Sequence, residues 1–350
     1  MSLPMDVSEI TPEWLSEALG ERWPGVKVER IQLGTVIHGS ATKIQLSLNY
    51  QVGSAATLPP ANMWLKIGLE DSSLYLDELG IYPREGGFYA GIAPKLGPIV
   101  PECYYTKSQK SPPQTAMLLE DLTLKKAVFG SATRPFSAAQ AEQALISLAT
   151  FHGKTTADPG IVGGSLPVAM SETIAVLHDC VASADSLFKV PRGYAVPVCL
   201  HDSARLAAGL DAYLRMVQEG PRNLVHGDAH VGNTYVLPDG RVGFLDWQTA
   251  GVGHWIHDVT YLMSSALDVP VRREHEKALF RSYLTAFERN GGQPPKFDEA
   301  WDIYRRGLFY GFIVWLGNTD HTQPPEVNLA GFARAGAAMI DHDVYGALGV

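Results

Sequence analysis

The chain contains few cysteines, and this shortage excludes two classes of small-domain architecture. Only three cysteines occur among its 350 residues, and Cys103, Cys180 and Cys199 lie far apart without a Cys-x-x-Cys spacing. A disulfide framework and a zinc ribbon are therefore not indicated. We expect buried free thiols in a reducing compartment.

Concentrated positive charge and long apolar runs are also missing. Lys and Arg number 28 against 37 Asp and Glu, for a net charge of −9, and they form no basic cluster. We therefore expect no nucleic-acid partner. No apolar run approaches the ~20 residues that span a bilayer, and the amino terminus lacks the basic start and apolar core of a signal peptide. We expect a cytoplasmic protein without a membrane span, and the sequence does not predict its oligomeric state.

The patterns along the chain indicate a β-rich part followed by a helical part. Ile44, Leu46 and Leu48 alternate with polar residues, which is typical of a half-buried strand. Residues 1–122 predict a small domain with an N-terminal helix, antiparallel strands and one helical region broken near Pro83. Residues 123–350 predict a larger domain with helices near 137–154, 167–186, 199–218, 255–266, 270–290, 298–316 and 328–346. The fold class is therefore α+β.

The stretch LVHGDAHVGNTYVLPDGRVGFLDWQ, residues 224–248, concentrates the polar chemistry of the chain. Its apolar runs at 235–237 and 242–245 flank a Pro-Asp-Gly turn and predict a hairpin. Asn233 precedes the first strand and Asp246 follows the second, so an antiparallel pairing brings the two together. An amide oxygen and a carboxylate are ligands that suit Mg²⁺, which takes further ligands from substrate phosphates.

Asp228 lies on the same loop, five residues before Asn233. A carboxylate beside a metal–phosphate site can accept the proton of an attacking hydroxyl, so these residues predict phosphoryl transfer. Two alternatives stay open. His226, Asp228 and His230, with His254 and His257 further on, could instead form the metal cluster of a hydrolase. The chain could also be a catalytically silent nucleotide-binding module.

The motifs HGDAHVGN and FLDW, in this order, resemble the aminoglycoside phosphotransferase family, whose relatives include choline kinases and ecdysteroid-kinase-like proteins. Further segments resemble the family in the expected order, from MWLKIG and YPREGGFYA through MLLEDL and LATFHG to HWIHDVTYLM. The resemblance covers roughly residues 30–345. It implies a bilobal protein-kinase-like fold that uses ATP and Mg²⁺ to phosphorylate a hydroxyl of a small molecule.

The resemblance also implies roles for individual residues of this chain. Asp228 would be the catalytic base, and Asn233 and Asp246 would bind Mg²⁺ in a site formed by loop 226–233 and hairpin 234–247. Lys66 would contact the phosphates and pair with Glu85, with Glu78 a weaker candidate for the pair. The backbone near Gly39 and Ser40 would cover the phosphates. Backbone groups around Glu120 and Leu122 would meet the adenine. His226 would brace the loop and Asp258 would bind it from below. The segment LGTVIHGSATK departs from a Gly-x-Gly-x-x-Gly loop, and Trp247 follows Asp246 where protein kinases have Phe-Gly.

The composition of the C-terminal third bears on the phosphate acceptor. The C-terminal third is mixed in charge and rich in apolar and aromatic residues, which favours a less charged alcohol over a polycationic aminoglycoside. Tyr310, Trp255, Trp301 and Trp315 could line such a site, although core packing explains most aromatics equally well. His152 reads as a structural histidine. His230 reads as a loop-surface residue or a substrate contact, and His254 or His257 could face the acceptor.

Overall fold

The chain folds into two compact units, Met1–Ala127 and Val128–Val350. The computed structural model describes residues 2–53, 55–164, 166–169, 171, 173–320 and 323–350. The division falls slightly after the expected boundary at residues 122/123. Asp121 accepts a hydrogen bond from the Thr123 amide and caps a short 3₁₀ turn at Leu122–Lys125. That turn keeps the end of the preceding strand with the first unit.

The first unit is built on one five-stranded antiparallel sheet with the strand order β1-β2-β3-β5-β4. Its elements are α1 (Pro12–Gly20), β1 (Val28–Ile37), β2 (Thr42–Tyr50), β3 (Asn62–Ile67), α2 (Asp71–Glu78), α3 (Ile81–Gly91), α4 (Ala93–Leu96), β4 (Cys103–Lys110) and β5 (Pro113–Glu120). Thr11 caps α1 by accepting a hydrogen bond from the Trp14 amide. Ile44, Leu46 and Leu48 are buried in the core of this unit, which confirms the alternating strand.

One prediction for this unit is wrong in detail, and one strand was missed. The helical region is interrupted at Leu79–Gly80, where Gly80 has φ +77°, and not at Pro83. Pro83 occupies the first turn of α3, where backbone amides lack helical partners and proline is tolerated. Strand β4 was not predicted, because the sequence CYYTKSQK has no regular alternation.

The second unit is mostly helical. Its helices are α5 (Ala138–Ala157), α6 (Thr173–Ala182), α7 (Ala184–Leu187), α8 (Ser203–Glu219), α9 (Ile256–Ala266), α10 (Val269–Arg289), α11 (Phe297–Gly307), α12 (Phe309–Gly317), α13 (Pro325–Asp341) and α14 (Val344–Leu348). Its strands are β6 (Val128–Phe129), β7 (Asn223–Val225), β8 (Thr234–Val236), β9 (Val242–Phe244) and β10 (Gly251–Gly253). Strands β6, β8 and β9 form one sheet, and β7 pairs with β10.

Most predicted helices are present, but three of them are divided. The predicted helices at 298–316 and 328–346 are each divided in two, and 167–186 forms α6 and α7, with Met170 and Glu172 outside the described residues. Ser137 and Gln140 form a capping box at the start of α5. All three thiols are free, but only Cys180 is buried, so the burial expected for the other two is wrong. In the described part of the chain, no helix has both the length and the apolar character needed to cross a membrane.

Candidate active site

The predicted hairpin is present and brings Asn233 next to Asp246. Strands β8 and β9 pair antiparallel, with Thr234 opposite Phe244, and the Leu245 amide donates to the Asn233 carbonyl at 2.8 Å. Asn233 therefore lies directly before β8 and opposite Leu245, and Asp246 is the next residue after Leu245. This local pairing, set by the turn between the strands, places an amide and a carboxylate at the open end of the hairpin.

The side chain of Asn233 is oriented by Asp228. Its amide nitrogen donates to both the backbone carbonyl and the Oδ2 carboxylate oxygen of Asp228, each at 2.9 Å. Because the amide nitrogen is held by Asp228, the amide oxygen of Asn233 is the atom that can face a cation. Together with the Asp246 carboxylate it forms a hard-oxygen donor pair, which fits Mg²⁺.

Asp246 has a backbone conformation that non-glycine residues rarely adopt. Its φ is 61° and its ψ is 64°, in the left-handed region. Such a conformation costs on the order of 1–3 kcal/mol and persists where the surroundings hold it in place. The following Trp247 is fully buried, packs against His226 at 4.6 Å between ring centroids, and donates its indole N–H to the Phe244 carbonyl. The buried indole thus fixes the direction in which Asp246 leaves the strand.

The loop that carries Asp228 is anchored from the core by Asp258. One carboxylate oxygen of Asp258 accepts from the His226 amide at 2.6 Å and from His152 Nε2 at 3.1 Å. The other accepts from the Gly227 amide at 3.0 Å. Burial by itself raises the pKa of Asp258, but the His152 hydrogen bond and the neighbouring histidines lower it overall. The predicted contact of Asp258 with this loop is confirmed, and His152 is structural, as predicted.

Gly227 is required by the shape of the same loop. It has φ +84°, and a Cβ there would lie 2.4 Å from the Thr249 carbonyl oxygen. Its own carbonyl accepts from His257 Nε2 at 2.9 Å, and His257 Nδ1 in turn accepts from the Tyr213 hydroxyl at 2.9 Å. The sequence did not predict this support by Tyr213 and His257.

The hydrogen bonds of the His226 ring brace the loop. Its Nε2 donates to the Leu245 carbonyl at 2.7 Å, while Nδ1 accepts from the Asp228 amide at 3.2 Å. Burial lowers the pKa of His226 and keeps the ring neutral, which matches this donor–acceptor pattern. His226 therefore links the Asp228 loop to the strand that leads to Asp246.

The same hydrogen bonds argue against a histidine metal cluster. Both ring nitrogens of His226 and of His257 already have partners within the fold. Burial also lowers the pKa of His254 to about 3, and its Nδ1 accepts from the Ile256 amide. Among the described residues, no group of three or more His, Cys, Asp or Glu is arranged to hold a metal ion. The donor groups thus favour the amide–carboxylate pair over the hydrolase alternative.

His230 is not a loop-surface residue, so that expectation is wrong. It is only 6% exposed and packs against the rings of Tyr261 and Trp315. Its Nδ1 accepts from the Gly232 amide at 3.0 Å, and its Nε2 lies 3.7 Å from the Asp228 carboxylate. Partial burial raises the pKa of Asp228 above its ordinary value, and His230 and His226 reduce that rise. A raised pKa brings a carboxylate closer to the range that suits a general base.

In the first unit, Lys66 and Glu85 form a buried ion pair. Lys66 lies on β3 and Glu85 on α3, and their Nζ and Oε2 atoms are 2.6 Å apart. Their side chains are 4% and 1% exposed. Glu85 is thus the partner of Lys66, as expected, and Glu78 is not needed for this role. Glu85 lies in the middle of α3 and not at its start, because α3 begins at Ile81.

The other predicted nucleotide-binding residues lie at the ends of strands of this unit. Gly39 and Ser40 are exposed in the turn between β1 and β2, and the Ser40 carbonyl accepts from the hydroxyls of Ser73 and Tyr82. Glu120 ends β5, where its amide donates to the Glu102 carbonyl at 2.8 Å. The carbonyl of Leu122 accepts from the backbone amide at Ala127.

The second unit contains a cavity with Asp228 in its wall. Its volume is about 460 Å³, and the described residues that line it include Asp228, Gly227, Thr249 and Tyr310. The remaining lining residues come mainly from α6 and α12. Tyr310 therefore lines a cavity, which agrees with the first of the two interpretations of these aromatic residues, cavity lining or core packing. Trp255 and Trp315 are fully buried in the core, and neither His254 nor His257 is among the described lining residues.

Sequence comparison relates two segments of the chain to known families. Residues 181–295 match the phosphotransferase enzyme family, and residues 41–157 match the ecdysteroid kinase-like family. The resemblance predicted from HGDAHVGN and FLDW is thereby confirmed. No curated protein matches the chain in sequence.

Solved structures of several phosphotransferases and small-molecule kinases share the fold of this chain. A protein from Ralstonia eutropha JMP134, provisionally named an aminoglycoside phosphotransferase, is 17% identical, with a TM-score of 0.57 over 96% of this chain and 98% of that one. Amicoumacin kinase, in complex with AMP-PNP and Ca²⁺, is 14% identical, with a TM-score of 0.52 over 89% and 88%. A choline/ethanolamine kinase family protein from Mesorhizobium loti is 17% identical, with a TM-score of 0.51 over 91% of each chain. The fold is the predicted α+β kinase-like fold. The sequence match to the phosphotransferase enzyme family is what supports a small-molecule phosphotransferase.

Proposed function

We propose that this protein transfers the γ-phosphoryl group of ATP to a hydroxyl of a small molecule, with Asp228 as the catalytic base. The observation that carries the proposal is the joint placement of Asp228, Asn233 and Asp246 on one rigid loop and hairpin. The kinase-like fold and the two matching families support it.

The chemical step follows from the position of Asp228 in the cavity wall. The acceptor oxygen attacks the γ-phosphorus, the bond from that phosphorus to the β,γ-bridging oxygen breaks, and ADP leaves. Asp228 takes the proton of the attacking hydroxyl. Its position is set by the Asn233 side chain and by the Asp258-anchored backbone, so the base needs little reorganisation during the reaction.

A divalent cation has a suitable donor pair in Asn233 and Asp246. Mg²⁺ accepts one or two protein oxygens and completes its shell with water and phosphate, and when bound it neutralises charge that develops on the transferred group. Asn233 presents its amide oxygen because its nitrogen is held by Asp228. Asp246 is presented by a strained backbone that the buried Trp247 supports.

In the nucleotide-binding unit, Lys66 supplies the positive charge for the phosphates and Glu85 holds it in place. We propose that the backbone near Gly39 and Ser40 covers the phosphates. The adenine would use the Glu120 carbonyl and the Leu122 amide, because the Glu120 amide and the Leu122 carbonyl already have partners.

The test is a screen of ATP consumption against a library of alcohols with Mg²⁺, comparing the parent protein with Asp228→Asn. The matched control is Asp239→Asn, because Asp239 is an exposed residue of the hairpin turn that bonds Arg241. Loss of a positioned base lowers the rate by about 10²–10⁴-fold, so Asp228→Asn should be nearly inactive and Asp239→Asn unchanged. Nucleotide binding without acceptor-dependent turnover in the parent protein would favour the silent module instead.

A further inference from the structure

The cavity beside Asp228 has walls made by two helix faces. From α6 come Thr173, Val176, Leu177 and Cys180, and from α12 come Tyr310, Ile313, Val314 and Gly317. Both sets follow the i, i+3, i+4, i+7 spacing of a single helix face. The volume of about 460 Å³ lies within the roughly 300–1,000 Å³ of small-molecule sites.

The two helices meet at Cys180 and Gly317. A Cβ at Gly317 would lie 3.0 Å from the Cys180 sulfur, which itself lies 3.5 Å from the Ile313 carbonyl oxygen. The absence of a side chain at Gly317 therefore allows this close approach. Burial raises the pKa of Cys180 to about 11, so the thiol is neutral at physiological pH and this contact carries no charge.

Charge is scarce around the cavity. Within the described lining, Asp228 and Asp179 are the acidic residues, and no lysine or arginine contributes. Asp179 is exposed, so water screens its charge. An ammonium group placed against Leu177, Ile313 and Val314 would lose hydration without a buried partner, which is costly.

We infer that this cavity selects an uncharged alcohol with an apolar body, and that the alcohol places its hydroxyl at the Asp228 end. The inference rests on the proposed function, because it assigns Asp228 to the reacting hydroxyl. It names the acceptor class of the same site and excludes polycationic aminoglycosides as efficient acceptors.

The test uses two probes of similar shape. The first is 4-cyclohexylcyclohexanol, and the second is 4-(4-aminocyclohexyl)cyclohexanol, which adds one ammonium far from the hydroxyl. Binding is measured by isothermal titration calorimetry, and transfer is measured separately by ADP release, with kanamycin as a third acceptor. The uncharged alcohol should bind at least about tenfold more tightly than the amine, since an ammonium buried without a partner loses its hydration.

Two wall variants locate the bound alcohol. Val314→Trp fills the cavity and should weaken binding of the uncharged alcohol by about tenfold or more, because overpacking removes the space for it. Val176→Asp adds a charge at a lining residue that is 63% exposed and tolerates it in the fold. This substitution should reduce the ratio of the affinity for the uncharged alcohol to the affinity for the amine. Val198, which is 80% exposed and outside the described lining, supplies matched Trp and Asp controls.

The outcomes separate the inference from the proposed function. Tighter binding of the amine, efficient phosphorylation of kanamycin, or equal alcohol binding by Val314→Trp and the parent protein overturns the inference. Failure of the parent protein to bind the uncharged alcohol at all overturns it too. Binding that depends on Val314 and Val176 but gives no phosphate transfer supports the inferred ligand class and overturns the proposed function.

Discussion

Replacing Asp258 with asparagine should loosen the loop that carries Asp228. The carboxylate accepts from the His226 amide and His152 on one oxygen and from the Gly227 amide on the other. An asparagine keeps one acceptor oxygen and turns an NH₂ group toward a donor, so at least one buried N–H loses its partner. A hydrogen bond to a charged group contributes about 1.5–3 kcal/mol, and an orphaned buried donor costs about 1–3 kcal/mol. We therefore expect Asp258→Asn to lower the free energy of unfolding by about 3–5 kcal/mol.

Urea unfolding followed by tryptophan fluorescence measures this change, because Trp247 packs against His226 in the same unit. The control is Asp211→Asn on the exposed side of α8, which should shift the free energy of unfolding by no more than about 0.5 kcal/mol. The pKa of Asp258 is lower in the folded protein than its ordinary value. Its contribution is therefore complete above the unfolded pKa of about 3.9 and is lost as the pH falls through the lower folded value. Equal stability of Asp258→Asn and the parent protein at pH 7 would refute the anchoring role.

Three further predictions concern the remaining parts of the site. Lys66→Met should lower the free energy of unfolding by about 3–5 kcal/mol, because it leaves the Glu85 charge buried. Adding Glu85→Leu should restore most of that stability without restoring phosphoryl transfer. Urea unfolding measures the stability and ADP release measures the transfer; recovery of activity in the double variant would contradict the phosphate role of Lys66. Gly227→Ala should lower the free energy of unfolding by more than about 2 kcal/mol, because the new Cβ would lie 2.4 Å from the Thr249 carbonyl oxygen in a left-handed backbone. A melting temperature equal to that of the parent protein would show that the loop adjusts. Transfer should rise with pH as Asp228 loses its proton, with a midpoint above the ordinary carboxyl value of 3.8 because its pKa is raised; a midpoint at or below that value in a pH–kcat/KM profile would remove Asp228 as the base.

The hairpin and its two metal-binding candidates could be predicted from sequence because the constraints are local. A Pro-Asp-Gly turn between two short apolar runs fixes the register, and the register alone places Asn233 beside Asp246. The division into a β-rich and a helical part follows in the same way from a change in hydrophobic period. The Lys66–Glu85 pair was reached through the family resemblance, since a strand lysine and a helix glutamate 19 positions apart carry no local signal.

Other features depend on contacts between distant segments and could not be predicted. The support of Gly227 by His257 and Tyr213 joins three separate segments, so neither aromatic residue stands out in its own sequence context. His230 looked like a loop-surface residue because it lies inside the loop in sequence, but Tyr261 and Trp315 cover it. The helix-face spacing of α6 and α12 was readable, but it does not distinguish a cavity wall from a packed core.

The most direct measurement of the central claim follows the phosphoryl group itself. ³¹P NMR of the parent protein with ATP, Mg²⁺ and an acceptor found in the alcohol screen should show ADP and a phosphomonoester appearing together in equal amounts. With Asp228→Asn, both signals should be lost while ATP binding is kept. Formation of inorganic phosphate alone, or an equal yield of phosphomonoester from Asp228→Asn, would contradict phosphoryl transfer by this loop and hairpin.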